Sequence, residues 1–189
     1  IELRALGHYL AVFDEGAFAD VVVNGDIHTQ NAERVGCTRS EVKSLVYGFI
    51  YGAGDVKLGH ILHPELSDAQ KKSLGTELRR KFLDAIPGLE PLVDAVKAKV
   101  RSAGQLKALD GRPIFCRAEH SSLNFLLQSC GAILSKRWCV IGQDLLDQAG
   151  LAYDNDYTRC AYVHDEVQLS VVPAEVDRVK ELLVAAAPQ

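Results

Sequence analysis

Apolar residues at Leu3, Leu6, Leu10 and Phe13 recur at helical spacing and predict a first helix over residues 2–18. Asn24-Gly25-Asp26 reads as a turn, and residues 27–34 as a second helix. Thr38 with Glu41 three residues on has the spacing of a capping box, which opens a helix over about 39–51. Gly52-Ala53-Gly54 ends it. Pro64 and Asp68 introduce a basic amphipathic helix over 69–83, closed by Pro87-Gly88, and Pro91 starts another that runs to about residue 101. Residues 109–113, Leu-Asp-Gly-Arg-Pro, read as a tight turn between two short strands. The longest helical run is 121–148, where Leu123, Leu127, Cys130, Leu134, Ile141 and Leu145 belong to one apolar face. The period then shortens to two, predicting strands over 160–163 and 167–171 joined at His164-Asp165-Glu166, before a last helix after Pro173. The pattern is mainly helical α+β.

The polar positions that interrupt this pattern fall into three clusters. Arg39, Lys43, Tyr47 and Tyr51 recur every four residues and form one slowly turning stripe on their helix. Two cations near the helix N-terminus suit a triphosphate, and the tyrosines, flanked by Gly48 and Gly52, suit its sugar or base. A surface helix with solvated cations and half-buried tyrosines accounts for the same spacing. His164-Asp165-Glu166 places two adjacent carboxylates at the apex of a strand pair, hard oxygen ligands suited to Mg²⁺. A solvated acidic turn remains the competing account. His120, Asn124 and Gln128 form a third stripe, extended by Gly131 and Ser135, whose donors and acceptors suit the acceptors common to every base pair in the DNA minor groove. A plain solvent face fits that stripe as well.

Composition narrows the class without choosing among these accounts. With 189 residues, 48% hydrophobic and 24% charged, the chain can build a core, and it is neither collagen-like nor disordered nor a disulfide scaffold. No uninterrupted apolar run approaches the ~18 residues of a membrane span, so no membrane partner is expected. Five scattered cysteines without a CxxC pair argue against zinc and fit a reducing, cytoplasmic compartment. The net charge of −4 hides a pattern: residues 1–38 sum to −4, residues 39–117 to +5, and residues 118–189 to −5. A cationic middle between acidic flanks suits a phosphate-handling lobe joined to a metal-binding platform, although charges scatter unevenly in many domains. The chain starts at Ile1 and contains no Met, from which we expect an internal piece of a longer protein.

Taken in order, IELR, NGDIHT, RxxxKxxxYGxxYG, LDGR, NxxxQ and VHDE resemble the family A (DNA polymerase I-like) DNA polymerases. Within that family the replicative polymerases of T-odd podoviral phages are the most similar in pattern. The resemblance covers essentially the whole chain, from within motif A through motif C. It implies a right-hand polymerase fold reduced to the fingers and part of the palm, with a β-hairpin carrying the HDE motif. Residues 1–12 would end motif A at the palm–fingers junction, residues 13–118 would be fingers, and residues 119–189 partial palm.

The implied activity is nucleotidyl transfer from dNTP to a primer 3′-OH with two Mg²⁺ ions, in the cytoplasm of the host cell if the protein is phage-encoded. By the resemblance, Arg39 and Lys43 hold the triphosphate, and Lys43 is also the general acid for the pyrophosphate leaving group. Tyr47 faces the sugar, Tyr51 stacks near the templating base, His28 touches the phosphates, and Glu2 is the steric gate against a ribose 2′-OH. Asp165 binds both metals with Glu166 beside it, and His164 lies near the primer end. Arg4, His120, Asn124 and Gln128 belong to the primer–template track; at His120 bacterial members usually carry Arg. The family's motif A runs Asp-x-Ser-x-Ile-Glu-Leu-Arg, so the aspartate that pairs with Asp165 would lie four residues upstream of Ile1. One metal ligand would therefore be missing and the piece inactive alone, and any processivity partner would bind a region outside it. A non-catalytic nucleic-acid-binding module and a metal-dependent nuclease built on Asp165 and Glu166 are the alternatives.

Overall fold

The computed structural model describes residues 1–163 and 166–187. Its helices and strands are α1 (Glu2–Asp14), α2 (Ala17–Asn24), α3 (Ile27–Val35), α4 (Arg39–Ile50), α5 (Asp55–Leu62), α6 (Asp68–Ala85), α7 (Leu89–Ala103), β1 (Gln105–Lys107), β2 (Pro113–Phe115), α8 (Ser122–Gln148), β3 (Tyr157–Val163), β4 (Glu166–Val171) and α9 (Val176–Ala186). Short 3₁₀ turns precede α8 and α9. The expected mainly helical α+β class is what forms.

The expected first helix is two. Glu15 and Gly16 take positive φ of 55° and 90°, and the Asp14 carboxylate accepts from Gly16 N at 3.0 Å and Phe18 N at 2.8 Å. Those bonds satisfy N–H groups that open α2, so the chain turns where apolar spacing alone continues. The Thr38–Glu41 capping box is present at the start of α4, with Glu41 N donating to Thr38 Oγ1 at 3.3 Å and Thr38 N to Glu41 Oε2 at 2.8 Å. A second box, Ser67 with Gln70, opens α6. Helix α7 begins two residues before Pro91, and α5 forms between the expected helices without a periodic apolar signal of its own.

Two compact units emerge, Glu2–Ser129 and Cys130–Gln189 with Ile1. In the first, Leu6, Leu10, Val42, Val46, Ile50, Leu58, Ile86, Leu89 and Leu127 are fully or almost fully buried. Helices α5 and α6 meet through glycine: a Cβ on Gly75 would lie 1.8 Å from Asp55 O, and one on Gly59 2.1 Å from Lys71 O. The β1–β2 hairpin pairs Leu106 with Ile114.

In the second unit Leu146, Leu151, Tyr157 and Val179 form a core. Strands β3 and β4 pair antiparallel from Tyr157↔Val171 to Val163↔Glu166, with a register shift between Arg159 and Ala161. Strand β3 is longer than the alternating pattern suggested, because Tyr157 is already part of the ladder and the core. Among the described residues no helix is long and apolar enough to cross a membrane.

Candidate functional site

Helix α4 owes its orientation to a two-sided composition. Val42, Leu45, Val46, Phe49 and Ile50 are buried, which leaves the stripe of Arg39, Lys43 and Tyr47, with Tyr51 at the C-cap, on the opposite side. Lys43 is exposed, while Tyr47 is half-buried and lies with its ring centroid 6.0 Å from that of Tyr51. Gly48 and Gly52 do not simply clear space beside the tyrosines. A Cβ on Gly48 would meet Ile61 and Leu58 of α5 at 3.2 and 3.3 Å, so this glycine serves helix packing. At Gly52, φ is +75° and a Cβ would fall 2.5 Å from the His120 carbonyl oxygen, so the glycine lets the end of α4 press against the 3₁₀ turn before α8.

At the other end of the stripe, Arg39 meets the start of α3. Arg39 Nε donates to Asp26 Oδ2 at 3.0 Å and Nη2 to Oδ1 at 3.4 Å. Asp26 is the N-cap of α3, accepting also from His28 N, Thr29 N and Thr29 Oγ1 at 3.1, 3.2 and 2.9 Å. Hydrogen bonds from Arg39 and then Thr29 hold the Asp26 carboxyl well below the usual carboxylate range. Beside it, burial and then the charge of Arg39 lower the His28 pKa, with Asp26 opposing and Lys43 adding to the shift. Among the described residues the buried His28 Nδ1 has no hydrogen-bond partner, an orphaned polar atom within the electrostatic influence of Arg39 and Lys43. The turn expected at Asn24-Gly25-Asp26 ends in the cap of α3, for which Asp directly before a helical run is itself a signal.

A third group joins residues far apart in the chain. Gln128 Nε2 donates to Glu2 Oε1 at 3.0 Å. The Tyr51 phenol lies within hydrogen-bonding reach of both, and its pKa is raised by burial first and then by the Glu2 carboxylate and Tyr47. The structure therefore brings together Glu2, Tyr47, Tyr51 and Gln128, and separately Arg39, Lys43 and His28.

The polar stripe on α8 is less uniform than its spacing suggested. His120 is exposed but belongs to the 3₁₀ turn, Asn124 is half-buried with Oδ1 enclosed and unpartnered among the described residues, and Gln128 is committed to Glu2. Ser135 is only 4% exposed, and a Cβ on Gly131 would meet Ile1, so neither extends a solvent-facing edge. Leu134, expected on the apolar face, is 40% exposed, whereas Leu146 is fully buried. Arg4 is exposed on α1.

Glu166 begins β4 as an exposed carboxylate that accepts from Gln168 Nε2 at 2.8 Å. Its acidic oxygens fit a hard cation. His164 and Asp165 lie outside the described residues, and among the described residues no group of three His, Cys, Asp or Glu side chains is placed to hold a metal.

A cavity of about 600 Å³ lies beyond the C-terminal end of α4, lined by Phe49, Ala53, Asp55, Arg79, Lys97 and His120 among others. Arg79 is internally occupied there: Nε donates to Asp55 Oδ1 at 2.7 Å, Nη2 to Ala53 O at 2.6 Å, and the guanidinium sits 5.6 Å from the Phe49 ring centroid. It braces α4, α5 and α6 instead of offering a free cation.

The DNA polymerase family A model matches residues 1–187. The DNA-directed DNA polymerase of Escherichia phage T7 is 36% identical over 196 residues, covering 95% of this chain and 27% of that protein. That of Enterobacteria phage T3 is 36% identical over 193 residues, covering 93% and 27%. DNA polymerase I of Rhizobium leguminosarum is 27% identical over 208 residues, covering 98% and 19%. The chain thus spans little more than a quarter of the length of the phage relatives. A solved structure, the POL domain of Pol1 from M. smegmatis in complex with DNA primer-template and dNTP, superposes with a TM-score of 0.76 at 19% identity over 99% of this chain and 35% of that one. The fold is that of a polymerase domain in part, and the chain belongs to DNA polymerase family A.

Proposed function

We propose that these residues form the nucleotide-binding face, and part of the metal-binding platform, of a protein that performs template-directed DNA synthesis in its host's cytoplasm. The reading rests on one observation above the rest: the charges of Arg39 and Lys43 both act on His28, whose buried ring Nδ1 has no partner among the described residues, and Arg39 and Lys43 share their helix stripe with Tyr47 and Tyr51. Such a group meets a phosphate chain at one end and a sugar and base at the other. The names of the relatives, DNA-directed DNA polymerases, and the dNTP and primer-template held by the structural neighbour point the same way.

In this reading residues 13–118 act as fingers and residues 119–189 as part of the palm. Arg39 and Lys43 bind the triphosphate of the incoming dNTP with His28, and Lys43 protonates the departing pyrophosphate. Tyr47 bounds the sugar and Tyr51 stacks near the template base. Glu2, held by Gln128, fills the space a 2′-OH needs. Arg4, His120, Asn124, Gln128 and His164 line the primer–template. Asp165 and Glu166 would hold Mg²⁺, which when bound stabilises charge on the attacking and leaving oxygens.

Primer extension by the full-length protein tests this. The unaltered protein should extend a primer with dNTPs, and Asp165→Ala should lower extension by at least about a thousandfold while duplex affinity changes little. Hydrolysis of the primer without extension favours a nuclease, and binding without either reaction favours a non-catalytic module.

A further inference from the structure

Asp26 carries more than a helix cap requires. Capping α3 needs one carboxylate oxygen accepting from the first-turn N–H groups, and Oδ1 does this for His28 and Thr29. The second oxygen accepts from Thr29 Oγ1 and Arg39 Nε, while Arg39 Nη2 reaches Oδ1. The pair joins the starts of α3 and α4, thirteen residues apart in sequence.

As a stabilising contact this pair is worth little. The side chains are 60% and 46% exposed, and exposed ion pairs add almost nothing to folding. Its effect on orientation is larger. A free arginine on a helix surface samples many rotamers, and a ligand must then bear the cost of ordering it. Asp26 grips the guanidinium along its Nε edge, so the Nη1 edge and the remaining Nη2 proton keep a fixed direction. The two backbone N–H groups at the N-terminus of α3 offset the aspartate's own charge, which limits its repulsion of an approaching anion. The fixed guanidinium stands close enough to His28 to act on its ring.

We propose that Asp26 is a positioning residue for nucleotide capture, holding Arg39 by its Nε edge in the orientation that meets the triphosphate of the incoming dNTP. The proposal rests on the assignment of Arg39 to triphosphate binding given above. Asp26 itself does not touch the nucleotide.

The test is steady-state primer extension by the full-length protein across a range of dNTP concentrations. Asp26→Asn and Asp26→Ser both retain an oxygen that can cap α3, and both remove the charge that grips the guanidinium. Each should raise the KM for dNTP about fivefold, with a smaller change in kcat. In an Arg39→Ala background the same substitutions should raise KM no further, because the residue they act through is gone. An unchanged KM in both single variants overturns the proposal. So does a KM rise that persists undiminished in the Arg39→Ala background, which would place the effect in the α3 cap. If the unaltered protein extends no primer, the synthesis reading fails and the proposal with it. Extension by the unaltered protein with either of the other two results overturns the proposal alone.

Discussion

Glu2, Tyr51 and Gln128 come from α1, the end of α4 and α8, and each limits what the others can do. Gln128 holds the Glu2 carboxylate in place, and Tyr51 stands beside both. In the proposed gate against a 2′-OH the carboxylate must not swing aside, so the anchoring would be as necessary as the carboxylate itself. Replacing Glu2 by Ala in the full-length protein should therefore raise ribonucleotide use relative to deoxynucleotide use by about tenfold or more, read from competitive primer extension. An unchanged ratio removes Glu2 from sugar selection. The α4 stripe was legible in the sequence because four-residue spacing maps directly onto one helix side. The Glu2–Gln128 bond was not, since its partners stand 126 residues apart and no local period connects them. Asp26 was read only as part of a turn; its capping of α3 and its grip on Arg39 appear once α3 lies against α4.

The elements around the stripe depend on close approach. Gly75 sits under the Asp55 carbonyl, so α5 and α6 cannot keep their spacing with any side chain there. Gly75→Ala should destabilise the first unit by about 3 kcal/mol or more, measured by urea unfolding of the full-length protein; a change near zero would contradict the packing described.

The same helices carry a pH-dependent brace. Burial pushes the Asp55 carboxyl up, but hydrogen bonds from Arg79 and Thr76 outweigh it and leave the pKa below its ordinary 3.8. A carboxylate depressed in the folded state contributes stability above its unfolded pKa and loses it as pH falls through the folded one. Asp55→Asn should accordingly cost about 1 kcal/mol at pH 6 and progressively less below pH 4, seen as converging melting temperatures. Where the sequence carried a complete local signal, the element was legible: Thr38 and Glu41 announced α4. The break between α1 and α2 was hidden because the apolar spacing runs on to Phe18, while the deciding Asp14 bonds are polar and local. Helix α5 was hidden by its length of eight residues and by Gly59, whose purpose appears only when Lys71 lies against it.

At the scale of the whole molecule, charge divides differently from the division along the sequence. The cationic stretch 39–117 is not a structural unit. Glu2–Ser129 holds sixteen basic and sixteen acidic residues, and the net −4 resides in Cys130–Gln189 with Ile1. A neutral unit exerts no general pull on a polyanion, so the proposed phosphate recognition would come from particular cations such as Arg39 and Lys43 and not from the mean field. That makes the claim about α4 sharply testable. The most direct measurement compares Arg39→Ala with the unaltered full-length protein for two quantities, the KM for dNTP and the Kd for primer–template. A nucleotide-binding α4 predicts at least about a tenfold rise in KM with a Kd within about twofold. Equal losses in both would move Arg39 to the DNA track and contradict the account.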